Sequence, residues 1–544
     1  MYVCAPSRMT GGDAIADGLA AHGIDTVFGL PGAQIYGLFD ALQRRQIRVI
    51  GARHEQACGY MAFGYARATG RPSAYAVVPG PGVLNAAAAT LTAFGCNEPV
   101  LCLTGQTPSA FLDRGHGHLH EMPDQLGTLR GFVKWAARIE HPATAPALVA
   151  RAFQEMMSGR RGPAALEMPW DVFTQTAAVA ACAPLASLPD PPIDCDRIDD
   201  AARLIAGAKA PMIFVGSGAL GAEDEVLELA LRLTAPVTAF RSGRGIVSNA
   251  HPLGLTIAAA YQLWPETDLV IAIGSRIEVP RWRWPFRPPG QKTVKIDIDP
   301  VEMRRAPPDV ALVADAKPGL RALLAAVDRL GVGHSGRAAR IADAKAAAER
   351  NIRSIQPQMA YLDVVRSVLP EDGVVTDELS QVGFASWYGF PVYRPRSFIS
   401  SGYQGNLGSG FQTALGVKIA HPNKPVVAIC GDGGFMFGVQ ELATAVQHGI
   451  GVVALVFNNN AFGNVRRDQQ NSFDGRIIGA DLVNPDFVRL AEAFGVDSAR
   501  VDSPKKLRPV LAAALSQGGP WLIEITVPRD SESNPWRYIT PPAP

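Results

Sequence analysis

No apolar run in the 544-residue chain approaches the roughly 18 residues needed to cross a bilayer. The first nine residues, MYVCAPSRM, hold no hydrophobic stretch long enough for a secretory leader. A cytoplasmic protein that does not engage a membrane is therefore expected. An excess of one charge is missing as well: 51 basic against 50 acidic residues leave a formal net charge of +1, and only 19% of residues are charged. Duplex nucleic acid or an anionic membrane would need a clustered basic excess, so neither is expected as a partner. Cysteines are few and unorganised. Cys4, Cys58, Cys96, Cys102, Cys182, Cys195 and Cys430 form no CxxC pair and no metal-ligand rhythm, so they read as reduced and mostly core.

What the chain does contain is alternation. Short apolar, β-branched runs are followed by glycine-bearing turns and alanine- and leucine-rich helical stretches, the pattern of parallel-sheet α/β layers. Buried strands are predicted at Tyr75 to Val78, Val100 to Leu103, Pro211 to Val215, Leu269 to Ile273, Val426 to Cys430 and Val452 to Phe457. Sheets of this kind bind ligands beyond the carboxyl ends of their strands. Two breaks divide the chain: the proline-rich PLASLPDPP from Pro184 to Pro192, and a polar helical stretch from Gly331 to Gln358. Three doubly wound domains follow, at 10–180, 190–330 and 355–530.

The most informative segment is Gly431-Asp432-Gly433, followed after 24 residues by Asn458-Asn459. An apolar strand delivers Asp432 to the sheet edge, and the flanking glycines let main chain approach a phosphate group. The next strand returns to the same edge and places Asn459 beside Asp432. A carboxylate, an amide oxygen and the main-chain carbonyl of Ala461 are hard oxygen donors suited to Mg²⁺ clamping a diphosphate. Asp432, Asn459 and Ala461 are thus the expected metal ligands.

This segment resembles the diphosphate-binding motif of thiamin-diphosphate-dependent enzymes. The string Arg53-His54-Glu55-Gln56, with GYARATGRP and then GPG and Asn85, is similar to the pyrimidine domain of their acetolactate synthase branch. The likeness runs from Gly11 to about Pro528 in the order pyrimidine-binding, central Rossmann-like and diphosphate-binding domain. It implies thiamin diphosphate and Mg²⁺ as cofactors and Glu55 as the catalytic carboxyl. Hydrogen-bonded to N1′ of the aminopyrimidine, Glu55 would favour the tautomer whose 4′-nitrogen takes the C2 proton. Pro81 and Asn85 are implied pyrimidine neighbours. In Gly405-Asn406-Leu407-Gly408, the Gly405 carbonyl would accept from the 4′-amino group and Leu407 would wedge the coenzyme into a bent shape. The diphosphate would lie on Asp432, Gly433, Gly434, Asn459, Ala461, Phe462 and Gly463, with Ser380 and Gln381 adding contacts.

Some positions depart from that pattern. Where acetolactate synthases carry Phe-Gln-Glu, this chain reads His118-Leu119-His120-Glu121-Met122, so His120 and Glu121 become substrate-contact candidates. Gln34, in GLPGAQ, stands where benzaldehyde lyases have histidine, and would orient a carbonyl oxygen. The flavin loop Gly-Met-His-Gly is replaced by TIAAAYQLW, which makes FAD doubtful. The alternating His116, His118 and His120 read as a loop rather than a metal site. Gly216-Ser217-Gly218 has a dinucleotide look but no acidic residue ends the next strand, which leads to Arg241. Arg281 to Arg287, basic and aromatic in alternation, reads as a surface loop near the site.

The implied activity is carbon–carbon bond chemistry on a 2-oxo acid, acetolactate-synthase-like carboligation first. A lyase or decarboxylase resembling benzaldehyde lyase, 2-hydroxyacyl-CoA lyase or benzoylformate decarboxylase is the alternative. Because the family builds each site from two subunits, a homodimer at least, and a homotetramer beyond it, is implied.

Overall fold

The computed structural model describes residues 6–333 and 336–542. Cys4 lies outside them; of the six cysteines described, all are free and four are buried, whereas Cys195 is exposed. Among the described residues no helix is long and apolar enough to cross a membrane.

Three six-stranded parallel sheets form the skeleton, each covered by helices. The predicted strands are present at Ser73–Val77, Val100–Gln106, Pro211–Val215, Leu269–Ile273, Val426–Gly431 and Val453–Asn458. Their near-continuous apolar character follows from burial on both faces. The first sheet runs laterally Arg48–Gly51, Thr26–Gly29, Ser73–Val77, Val100–Gln106, Ala164–Pro169, Trp135–Arg138. A short antiparallel ribbon, Ser7–Thr10 with Thr176–Val179, accompanies it. The central sheet has Pro211–Val215 beside Leu269–Ile273 at its middle, and the third has Val374–Thr376 beside Val426–Gly431. In every sheet the chain leaves those two middle strands in opposite directions, which opens a crevice at their carboxyl ends. Between the first two sheets, the PLASLPDPP segment carries neither helix nor strand.

One helix pair sets how the first and third sheets meet. Glu55–Thr69 and Ser409–Ala420 approach so closely that a Cβ on Gly64 would lie 2.2 Å from the Thr413 carbonyl oxygen, and one on Gly416 1.9 Å from that of Met61. Glycine inside a helix costs about 1 kcal/mol relative to alanine, but here it admits backbone-to-backbone contact. Tyr60, Phe63, Phe411, Leu415 and Phe435 then join one buried apolar cluster that spans both units. The beginning of the Glu55 helix is thereby fixed against the unit that carries Asp432.

Candidate functional site

In the third sheet the strand Val426–Gly431 ends directly at Asp432, whose side chain is 3% exposed. Its neighbour Val453–Asn458 pairs Phe457 with Gly431, so the Asn458-Asn459 turn emerges at the same edge. Burial raises the Asp432 carboxyl above its ordinary range, opposed by hydrogen bonds from the Gly433 amide, the Asn484 side chain and the amides of Ala461 and Asn460. The Gly433 amide lies 2.9 Å from Oδ1 and Asn484 Nδ2 lies 2.7 Å from Oδ2. Two segments far apart in sequence therefore converge, with amides of the second directed at the carboxylate of the first.

Asn459 donates Nδ2 to Glu532 Oε2 at 2.7 Å, and its Oδ1 accepts the Ala461 amide at 3.1 Å. Asn460 adopts φ +54°, which turns the chain sharply between the two. The glycines here are required by crowding. A Cβ on Gly433 would meet the Phe462 ring at 2.4 Å, one on Gly434 the Glu378 carboxyl at 2.5 Å, and one on Gly463 Asn459 Nδ2 at 2.8 Å. A carboxylate at Asp432 and a side-chain amide at Asn459 thus stand at one sheet edge, oxygen donors of the kind a small hard dication takes.

Ser380 and Gln381 leave the adjacent strand Val374–Thr376 at the same crevice. Ser380 Oγ accepts the Gly383 amide at 3.0 Å and caps the helix Gln381–Gly389, while its O–H stays available to donate. Gln381 Oε1 accepts from Arg467 at 2.8 Å. The Gly405–Gly410 turn is tied to both units. Asn406 Nδ2 reaches Tyr60 Oη at 2.8 Å and Thr92 Oγ1 at 2.9 Å, while the Gly408 amide donates to Glu378. Gly405 and Gly408 have φ of +59° and +80°, and Leu407 between them is half-buried.

At the first sheet, Glu55 is the first residue of its helix, with His54 as N-cap, and is half-buried. Asn85 Nδ2 donates to its Oε2 at 3.0 Å, so two of the implied pyrimidine neighbours touch. Pro81 opens the helix Pro81–Cys96, and both it and Asn85 are exposed in the single chain. Beneath them, the Gly80 amide donates to Gln125 Oε1 at 2.8 Å, and Gln125 Nε2 donates to Glu167 at 2.8 Å.

Gln34, His120 and Gly80 come together. Gln34 Nε2 donates to the Leu119 carbonyl at 2.9 Å, and a Cβ on Gly80 would sit 2.5 Å from the His120 carbonyl oxygen. Gln34 is 1% exposed, and its Oε1 and the His120 Nδ1 have no hydrogen-bond partner among the described residues. Glu121 does not join them: its two oxygens accept the amides of Gly115 at 3.0 Å and His118 at 2.9 Å, inside its own loop. His118 packs tilted on the Phe111 ring at 4.2 Å.

The crevice of the central sheet is a cleft of about 240 Å³. Gly216 approaches the neighbouring strand end so closely that a Cβ would lie 2.2 Å from the Gly274 carbonyl oxygen. Arg241 lines the cleft, paired with Glu278 and donating to the Gly402 carbonyl at 2.6 Å. Asp297, at the end of Lys292–Asp297, also lines it, so an acidic group stands at this cleft on a strand the fingerprint does not use.

Sequence reasoning did not find Asn484, Glu532, Glu378 or Gln125. None belongs to a motif, and each acts by a long-range hydrogen bond.

Comparison with known proteins shows the family. The chain matches the models of the thiamine pyrophosphate enzyme N-terminal TPP-binding domain over residues 9–128, the central domain over 198–323 and the C-terminal TPP-binding domain over 379–525. It is 34% identical to a probable 2-ketoarginine decarboxylase of Pseudomonas aeruginosa, over 95% of this chain and 94% of that protein. A probable acetolactate synthase large subunit of Methanocaldococcus jannaschii is 33% identical over 95% of this chain and 92% of its own length. The acetolactate synthase isozyme 1 large subunit of Escherichia coli is 29% identical over 98% and 97%. With the two crevices matched by domains that bind one coenzyme, the chain belongs to the thiamine pyrophosphate enzymes, in the acetolactate-synthase-like branch, which catalyse carboligation or decarboxylation.

Proposed function

We propose that the protein is a thiamin-diphosphate- and Mg²⁺-dependent enzyme acting on a 2-oxo acid. In the first reading it passes the acyl unit left after decarboxylation to a second carbonyl compound, as an acetolactate synthase does. The observation that carries the cofactor reading is the meeting of Asp432 with the Asn459–Ala461 turn. When bound, the coenzyme supplies an acidic C2–H and an electron sink for the acyl carbon.

The chain's own residues have separable tasks. Asp432, the Asn459 amide oxygen and the Ala461 carbonyl would hold Mg²⁺. Gly433, Gly434, Phe462 and Gly463 would shape the diphosphate cradle, with Ser380, whose O–H is free to donate, and Gln381 adding contacts. Leu407 and the Gly405 carbonyl would support the coenzyme between its two ends. Glu55, oriented by Asn85, would exchange a proton with the aminopyrimidine N1′, with Pro81 alongside. Gln34 Oε1 and His120 Nδ1, both without partners, are offered to the substrate, and Glu121 shapes the loop that presents His120. Flavin has no part in this reading: TIAAAYQLW contributes the helix Ile257–Leu263 at the position of the family's flavin loop.

Exposed Tyr36, Leu84, Met436 and Phe437 flank the Gln34, Asn85 and Asp432 edges. Such apolar side chains suit coverage by a second copy, so a homodimer completing each site, and a homotetramer built from it, is part of the reading.

A specific observation favours a second reading, a decarboxylase or lyase that releases the unit as an aldehyde. The histidine loop stands where the carboligases of the family carry Phe-Gln, and a protein 34% identical over 95% of this chain is named a probable 2-ketoarginine decarboxylase. Product analysis with pyruvate, benzoylformate and a 2-hydroxyacyl-CoA as separate substrates decides. Acetolactate from pyruvate supports the first reading; CO₂ and aldehyde without acetolactate sink it and leave the second.

A further inference from the structure

The turn that precedes Glu55 is held by a buried side chain that no step above uses. Glu441 opens the helix Glu441–His448, the next full helix after the Asp432 turn, and is 0% exposed. The Arg53 amide lies 3.1 Å from both of its carboxylate oxygens, and Thr444 Oγ1 donates to Oε2 at 2.5 Å. The same helix makes two more contacts with this turn. The Gly51 amide donates to His448 Nε2 at 3.2 Å, and the Arg53 guanidinium donates to Gln447 Oε1 at 2.7 Å. Residues 51–53 are thus clamped by one helix of the third unit, and Glu55 follows as the first residue of its own helix.

Burying a carboxyl is costly unless donors surround it. An apolar side chain would have docked this helix more cheaply, but it could not have accepted a main-chain amide. What the carboxylate adds is direction: two oxygens sharing the single N–H of Arg53 fix the rotation of the peptide entering the Glu55 helix. Catalytic groups have to be held within about 0.5 Å of their working geometry, and among the described residues Glu55 has Asn85 as its side-chain partner.

We propose that Glu441 is a positioning residue for Glu55, locking the Gly51–His54 turn so that the Glu55 carboxyl is aimed at the aminopyrimidine. The inference rests on the reading of Glu55 as the catalytic carboxyl. Glutamine at 441 would present an N–H₂ group toward the Arg53 amide or the Thr444 hydroxyl, while nearly preserving shape. Valine at 444 would keep the carboxylate and remove only the hydroxyl that orients it.

The test compares Glu441→Gln, Thr444→Val and Glu55→Gln in the full-length protein. In the apoprotein, amide hydrogen exchange is read over residues 50–56. With thiamin diphosphate and Mg²⁺ at saturation, exchange of the coenzyme C2 proton for deuterium is read, and coenzyme affinity is read by calorimetry. Glu441→Gln is expected to speed Arg53 amide exchange and to slow C2 exchange by about tenfold to a hundredfold. Coenzyme affinity is expected to stay within about threefold of the parent. Thr444→Val should move both exchange rates the same way by less, and it carries the test alone if Glu441→Gln does not fold. C2 exchange that is slow in Glu55→Gln but unchanged in Thr444→Val and in any folded Glu441→Gln would overturn the inference alone. C2 exchange unchanged in Glu55→Gln as well would overturn the reading of Glu55 and this inference with it.

Discussion

The side-chain amide of Asn459 donates to the carboxylate of Glu532 at 2.7 Å, joining the Asn459–Ala461 turn to a segment that lies beyond the last strand of the third sheet. Glu532 is half-buried, and loss of solvent around its carboxyl pushes it up to about 7, against the opposing Asn459 hydrogen bond. A partner on Nδ2 fixes which face of the Asn459 amide is oxygen and keeps Oδ1 on the Ala461 side. Arg529 donates to the Asn460 carbonyl at 2.8 Å and Trp536 Nε1 to Asn464 Oδ1 at 2.7 Å, so the segment is strapped along the turn and the helix after it. Groups that orient a metal ligand typically contribute 10–100-fold in affinity. Glu532→Ala is therefore expected to weaken Mg²⁺-dependent coenzyme binding by about tenfold or more. Calorimetry at fixed Mg²⁺ measures it, and unchanged affinity would remove Glu532 from that role.

Truncation after Pro528 removes the whole strap. Tyr388 loses its hydrogen bond to the Pro535 carbonyl, at 2.6 Å, and Phe384 and Trp387 lose contact with the Trp536 ring. Trp536 is half-buried, so its loss should cost less than the roughly 3–5 kcal/mol of a fully buried aromatic. The shortened protein should melt several degrees lower and bind coenzyme more weakly than Glu532→Ala. Melting and binding equal to the full chain would show the strap to be passive.

The buried Glu378 makes stability depend on pH. Burial raises its carboxyl to about 8, opposed by the Gly408 amide, whereas an unfolded glutamate titrates near ~4.3. Between those values the unfolded chain has released a proton that the folded chain keeps, so stability falls as pH rises through the window and is fullest below it. Glu378→Gln mimics the neutral acid and carries no such titration. Its melting temperature should fall less between about pH 6 and pH 8 than the parent's. Parallel curves for the two proteins would contradict the assignment.

Glu55→Gln retains the shape of the side chain but not its proton exchange. Binding of thiamin diphosphate should stay within about threefold of the parent. Exchange of the coenzyme C2 proton should slow by about 10²–10⁴-fold, the range of general acid–base contributions. NMR of the quenched coenzyme reads the rate directly, and parent-like exchange would take the role from Glu55.

Much of this was legible in the sequence because the parallel strands are apolar without interruption. Pro211–Val215 and Leu269–Ile273 are found at the predicted ends, since turn glycines follow both. Asp432 and Asn459 were legible because each abuts such a strand, and parallel pairing forces their ends to one edge. Asn484, Glu532, Glu378 and Glu441 were not. Each lies outside a recognisable spacing, and its hydrogen bond links segments whose proximity only the folded chain establishes. Ser380 has a local task that its position just before an apolar helix also makes legible: its Oγ accepts the Gly383 amide as an N-cap, which leaves its O–H free to donate. Glu121 accepts two amides of its own turn.

The central claim, that Asp432 and the Asn459–Ala461 turn hold an ion that holds the coenzyme, is tested most directly by calorimetric titration of thiamin diphosphate into metal-stripped protein, with and without added Mg²⁺, for the parent and Asp432→Ala. Tight binding by the parent only when Mg²⁺ is present, and a loss of about 100-fold or more in Asp432→Ala, is the predicted result. Binding that is indifferent to the ion, or equal affinity in the two proteins, would contradict it.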